Sequence, residues 1–152
     1  MPRRKGISPV IATVIIVAVT IAVAIAVAFW MTGIVGLFTG FEQLQITSIY
    51  DNSSGIVITL QNTGTSTATI TDIYINGFPS SATGLQVKVG KTAVSFPITL
   101  KPGNQTTLLL SFPKTPSQFT VTPGVSLEIK LHTAGGKDYP KLIVLQAYSV
   151  KS

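Results

Sequence analysis

From residue 7 to residue 41 the chain carries no Asp, Glu, Lys, Arg or His: ISPVIATVIIVAVTIAVAIAVAFWMTGIVGLFTGF. About 20 apolar residues in a helix are enough to cross the hydrocarbon core of a bilayer, and this run exceeds that length. A soluble domain of ordinary size has no core able to bury such a helix on every side. The segment therefore requires lipid, or a core built from copies of itself. Val and Ile alternate with Ala through its middle, a composition that in water favours strands. In lipid every backbone N–H and C=O must be satisfied within the segment, so a single span there is helical. At 1.5 Å per residue such a helix reaches about 50 Å, well beyond a hydrocarbon core of about 30 Å. Its excess length places its last turns outside a membrane, or places the helix in some other apolar environment.

The ends of the run carry further signals. Ser8 is a residue type that caps helices, and Pro9 suits a first turn, where its missing N–H has no helical partner. Phe29 and Trp30 suit a membrane interface belt. Gly33, Gly36 and Gly40 mark a zone of bending or close packing. The helix hydroxyls are Ser8, Thr13, Thr20, Thr32 and Thr39. They read either as inter-helix hydrogen bonds or as bonds to the helix's own i−4 carbonyls. The second reading is preferred, because inter-helix bonds of this kind average well under about 1 kcal/mol.

Residues 1–6, MPRRKG, are short and basic. Positive residues beside an apolar segment stay on the cytoplasmic side, which exports everything after the helix. A secretory signal has an apolar region of about 7–15 residues followed by a small-residue cleavage site. Here the apolar region is much longer and no A-x-A site follows it, so any cleavage is expected before the apolar run.

Beyond residue 41 roughly 110 residues remain, enough for one modest domain. Their period changes to two. The runs 44–50, 55–62, 68–77, 85–89, 92–100, 106–112, 125–133 and 138–148 are β-branched and largely alternating. They are separated by NSSG, NTGTST, NGFPSSATG, KPGNQ, PKTPSQ and AGGK, stretches rich in turn formers. Short strands at near-regular spacing predict a sandwich or barrel. Asn76-Gly77 predicts a tight hairpin turn, and the run 106–112 a central strand. No second helix is expected. The fold expected is α+β, a long N-terminal apolar helix followed by an all-β, immunoglobulin-like sandwich.

Composition excludes several function classes. The net charge is +6, and Arg3, Arg4 and Lys5 supply half of it. The residual charge is too weak and scattered to predict nucleic-acid binding. The chain has no Cys and one His, His132, so no His/Cys metal site and no cofactor are expected. The acids Glu42, Asp51, Asp72, Glu128 and Asp138 form no pairing motif, and no nucleophile elbow, P-loop or dinucleotide fingerprint occurs. His132 sits in a strand pattern and reads as structural. Tyr50, Tyr74, Tyr139 and Tyr148 read as half-buried packing residues. No enzymatic activity is expected. Asn52-Ser53-Ser54 and Asn104-Gln105-Thr106 have the form of N-glycosylation acceptors, and both fall at predicted turns.

The segment RRKGISPVIATVI, beginning at Arg3, resembles the class III signal peptide of archaeal type IV pilins. The long helix followed by an all-β domain is similar to that family's architecture over the whole chain. The resemblance implies cleavage by a membrane prepilin peptidase between Gly6 and Ile7, with Arg3, Arg4 and Lys5 as the cytoplasmic flank. It divides the chain into a signal peptide (1–6), a helix (7–41) that is transmembrane in the precursor and lies in a filament core after assembly, and an extracellular domain (42–152). Val10, Ile11, Val14, Ile15, Val17, Ile21, Ile25, Phe29 and Trp30 would then pack in the core of a homo-oligomeric helical filament. An assembly ATPase and a membrane platform protein would extract the subunit, and the β domains would meet cells, abiotic surfaces or viruses at the archaeal cell surface. Bacterial pilins carry a Glu as the fifth residue of the mature helix. Ile11 stands there, so no ion pair guides docking from that position and assembly rests on apolar packing. Two other readings accompany the adhesive pilin. One is an archaellin, the swimming-filament subunit with the same signal plan. The other is a single-pass membrane-anchored extracellular binding module, in which the helix stays in lipid.

Overall fold

A computed structural model describes residues 8–150, with backbone only for residues 35–39. The chain divides into two compact units, Met1–Gly40 and Phe41–Ser152. Among its described residues the first holds one helix, α1 (Pro9–Thr39). Pro9 occupies the first turn as expected. Ser8 stands at the N-cap, but its side chain makes no capping bond; the turn closes through the Ala12 N–H, which donates to the Ser8 carbonyl (3.0 Å). Gly33 lies within the helix, which runs on to Thr39 before the chain turns extended at Gly40. A glycine inside a helix costs only about 1 kcal/mol against alanine, less than orphaning a turn of backbone groups.

The second unit is β-rich. Its strands among the described residues are β1 (Leu44–Asn52), β2 (Gly55–Asn62), β3 (Ala68–Ile75), β4 (Phe78–Pro79), β5 (Gln86–Val89), β6 (Thr92–Val94), β7 (Ile98–Leu100), β8 (Gln105–Ser111), β9 (Ser126–Thr133) and β10 (Asp138–Val144). They form two antiparallel sheets. One has the order β1-β2-β8-β5-β6, with β8 in its centre as its apolar content predicts. The other has the order β10-β9-β3-β4, and β7 also pairs with β3. The chain is therefore α+β, a long apolar helix followed by a two-sheet β domain.

The core lies between the sheets, where every second residue of the long strands points inward. Ile56, Ile58, Leu60, Leu108 and Leu110 of one sheet and Ile70, Ile73, Ile75, Leu127, Ile129 and Leu131 of the other are fully buried in one apolar cluster. Burying each such side chain contributes about 1.5–3 kcal/mol.

Two expectations need correction. Residues 92–100 read as one strand, but they make two. β6 pairs with β5 in the first sheet and β7 with β3 in the second. The intervening Ser95, Phe96 and Pro97 carry the chain across the sandwich, and Pro97 has no N–H to give to a ladder. A second helix also exists. It is one turn, α2 (Ser80–Thr83), too short to show a period in sequence. Asp72 holds its start, accepting from the Ser80 hydroxyl and the Ser80 N–H (3.3 Å). The 76–77 turn forms as expected. Asn76 has φ +49° and Gly77 φ +85°, the pair of positive φ values that a two-residue type I′ turn requires.

Candidate assembly surface and the groups around the β domain

The surface that most demands a partner is α1. Val10 is 71% exposed and Phe29 75%, and Ile11, Val14, Ile15, Val17, Ile21, Ile25 and Trp30 are each at least half exposed. Apolar side chains lie all round the cylinder, and the helix carries no acidic residue in its first turn and no basic residue in its last. Its hydroxyls do not relieve this. Thr13 donates to the Pro9 carbonyl (2.7 Å), Thr20 to Ile16 (2.7 Å) and Thr32 to Ala28 (2.9 Å). Each threonine thus satisfies itself four residues back and turns its methyl outward, the preferred of the two readings. The helix is long and apolar enough to cross a membrane. At 31 residues it measures about 46 Å, against about 30 Å of hydrocarbon. The cleavage position Gly6–Ile7 and the flank Arg3, Arg4 and Lys5 lie outside the described residues.

Where the chain enters the β domain, residues 41–43 are held by two turns. The Phe41 carbonyl accepts from the N–H groups of Thr65 (2.9 Å) and Ser66 (3.1 Å), and the Gln43 carbonyl from Thr63 N–H (2.8 Å). Lys137 donates its Nζ to the Glu42 carbonyl (2.8 Å), and the Thr133 hydroxyl donates to the Glu42 carboxylate. Gly64 lies so close that a Cβ there would meet the Phe41 carbonyl and come within 2.6 Å of the Gln43 nitrogen. Behind this clamp sits Asn62, fully buried. Its amide nitrogen donates to the carbonyls of Ser66 and Leu100 (both 2.8 Å), and its Oδ1 accepts from Gly64 N–H (2.9 Å). The sequence marks this stretch only as a turn, NTGTST. The buried amide that shapes it has no periodic signature.

The C-terminal residues 145–150 form a second strap. Asp51 Oδ2 accepts from the N–H groups of Gln146 (2.8 Å), Ala147 (2.7 Å) and Tyr148 (2.7 Å). Desolvation raises the Asp51 carboxyl, but these amide donors outweigh it and hold the group below its ordinary value. Tyr148, read from sequence as half-buried, is buried. Its hydroxyl accepts from Phe112 N–H (2.7 Å), and desolvation pushes it above its ordinary value.

His132 stands in a cross-strand cluster of charged groups. Its Nδ1 lies 2.5 Å from Asp138 Oδ1, while Lys130 Nζ lies 3.4 Å from Asp138 Oδ2 and 4.9 Å from the centre of the Tyr74 ring. The hydrogen bond from His132, then that from Lys130, draws the Asp138 carboxyl below its ordinary value. Asp138 thus pairs with the bases His132 and Lys130, a contact that sequence spacing hides because hairpin register sets it. The Thr71 hydroxyl donates to the backbone carbonyl of His132 (3.2 Å) and not to the ring. No group of three metal-ligating side chains gathers among the described residues. Asn52 and Asn104 both stand at strand ends beside turns, Asn104 exposed and Asn52 half-buried, with Asn52 Oδ1 accepting from Ser54 N–H (2.8 Å).

Compared with known proteins, the chain matches no family model and no curated protein.

Proposed function

We propose that this chain is the structural subunit of an extracellular helical filament of the archaeal type IV pilus kind, polymerising through α1. The observation that carries the proposal is the helix itself. It is apolar on all sides, exposed at nearly every described side chain, and about half as long again as a hydrocarbon core. A permanent anchor needs no such excess, whereas a helix that is shared among copies gains contact with every added turn. Because Thr13, Thr20 and Thr32 turn their hydroxyls inward to the backbone, the surface offered is uniformly apolar. Such a surface transfers from lipid to protein without leaving polar groups unpaired. The segment beginning at Arg3 supplies the processing step, cleavage between Gly6 and Ile7 by a prepilin peptidase. An assembly ATPase and a platform protein would supply the work, since moving apolar surface from lipid to protein yields little of the roughly 25 cal/mol per Å² gained on leaving water. In this reading the precursor is membrane-inserted and the mature chain stands at the cell surface, adhesive in role, with Asn52 and Asn104 on the exported side.

The experiment is mass spectrometry of filaments sheared from cells that express the chain. A main protein beginning at Ile7 is expected. Export with Met1 intact, or retention of all the protein in the detergent-extracted membrane fraction, overturns the proposal and leaves the anchored binding module. Loss of swimming with surface attachment preserved, on deletion of the gene, identifies an archaellin instead.

A further inference from the structure

The two outer faces of the β domain differ in kind. On the β10-β9-β3 sheet the outward residues include Asp138, His132 and Asp72 in one cross-strand row, Lys130 and Tyr74 in the next, and Glu128 in a third. On the β1-β2-β8 sheet the corresponding rows are neutral. Gln45 lies opposite Gln61, and Gln61 opposite Gln105. In the next row Ser48 lies opposite Thr59, and Thr59 opposite Thr107. The third row is Tyr50, Val57 and Leu109, reaching its one charge, Lys88, only on β5. The Thr59 and Thr107 hydroxyls are 3.4 Å apart, which fixes both on this side.

We infer that this face is a binding platform for an extended, uncharged polysaccharide. The three glutamine amides make no hydrogen bond to the described residues, so each presents a free donor and a free acceptor. That is the pair a vicinal diol requires. Strand spacing sets them about 4.8 Å apart along the row, and the hydroxyl row lies about 7 Å away. A ladder of this kind repeats on the scale of successive sugar rings in an extended glycan. Tyr50, 53% exposed, offers a flat apolar ring of the kind that packs against the C–H face of a pyranose while its hydroxyl stays in water. Within these three rows an anionic partner finds only Lys88 and a cationic one finds no carboxylate. A protein partner wants an apolar centre with aromatic anchors, and here Tyr50 and Leu109 are the main apolar groups showing. The inference does not depend on whether α1 ends in a bilayer or in a polymer.

The test is retention of the full-length chain, in a non-glycosidic detergent, on microcrystalline cellulose. Retention is expected to persist in high salt and to be released by soluble cello-oligosaccharide. Gln61→Lys and Gln105→Lys together, and Tyr50→Ala separately, are each expected to lower the bound-to-free ratio about tenfold, the equivalent of one or two lost hydrogen bonds or a lost ring contact. Lys130→Gln on the opposite face is expected to leave it unchanged, and all variants are to keep the wild-type thermal midpoint. Absence of retention, elution by salt alone, equal retention of every variant, or a loss of self-association in place of cellulose binding each overturns the inference.

Discussion

Asn62 concentrates more of the domain's connectivity than any apolar residue near it. Its side chain makes three hydrogen bonds in a site with no solvent access, and its backbone carbonyl and N–H reach Gly103 and Asn104 (2.8 and 3.0 Å). An Asn62→Leu substitution keeps the branched shape but strands the carbonyls of Ser66 and Leu100 and the N–H of Gly64. Orphaned buried groups cost about 1–3 kcal/mol each, softened where the loop relaxes toward water. A loss of about 2–4 kcal/mol is therefore expected in denaturant unfolding monitored by the tyrosine near-ultraviolet signal. A value under 1 kcal/mol would mean that the 62–66 turn holds without it. Glu42 belongs to the same neighbourhood, and the geometry explains why it is acidic: its carboxylate takes the Thr133 hydroxyl in a clamp that sequence spacing does not reveal, because the two residues are 91 positions apart.

Element by element, what was legible follows from the range of the interactions involved. The helix declares itself through 35 residues without charge, counted from 7 to 41, and the long strands through alternation that burial then reproduces, as in β9 with Leu127, Ile129, Leu131 and Thr133 inward. The Asn76-Gly77 turn is legible because local φ requirements select its residues. The split between β6 and β7 is not, because both halves remain β-branched and only the partner strand differs. Nor are the glutamine row or the Asp51 strap, which arise from register between strands remote in sequence. Within α1, on the proposed filament role, the threonine geometry yields a prediction that separates two uses of its hydroxyls. Thr20→Val removes a hydroxyl already committed to the Ile16 carbonyl, so filament yield and membrane insertion are expected to match the wild type; a drop would show that the hydroxyl serves a neighbouring helix. Ile21→Lys places a charge mid-helix, at a cost of about 3–4 kcal/mol on insertion scales. Filament yield is expected to collapse while the thermal midpoint of the β domain stays unchanged.

In the proposed reading the whole molecule joins two solvents, an apolar one for α1 and water for the β domain, and the water-facing half must keep its fold at the pH of its surroundings. Its C-terminal strap bears two titrating groups of opposite sense. Asp51 is held below its ordinary value of 3.8 by the three amides of residues 146–148. A depressed carboxyl contributes stability that is present above the unfolded value and is lost as pH falls through the folded one. Tyr148 is raised above 10.0 by burial. The stability it protects is present below the unfolded value and is lost as pH rises through the raised folded one. The thermal midpoint of the domain is thus expected to be flat between about pH 5 and pH 9, to fall on the acid side below about pH 4, and to fall on the alkaline side above about pH 10. Asp51→Asn is expected to flatten the part of the acid limb that the strap supplies, leaving the part due to Asp138, whose carboxyl His132 and Lys130 also depress. Tyr148→Phe is expected to remove the alkaline step while lowering the midpoint across the plateau, by the equivalent of about 1–3 kcal/mol of stability, because the buried Phe112 N–H loses its acceptor. Midpoints measured by circular dichroism across this range for the three proteins decide the matter. An acid limb of unchanged steepness in Asp51→Asn would show that the strap is held by its apolar residues and not by the carboxylate.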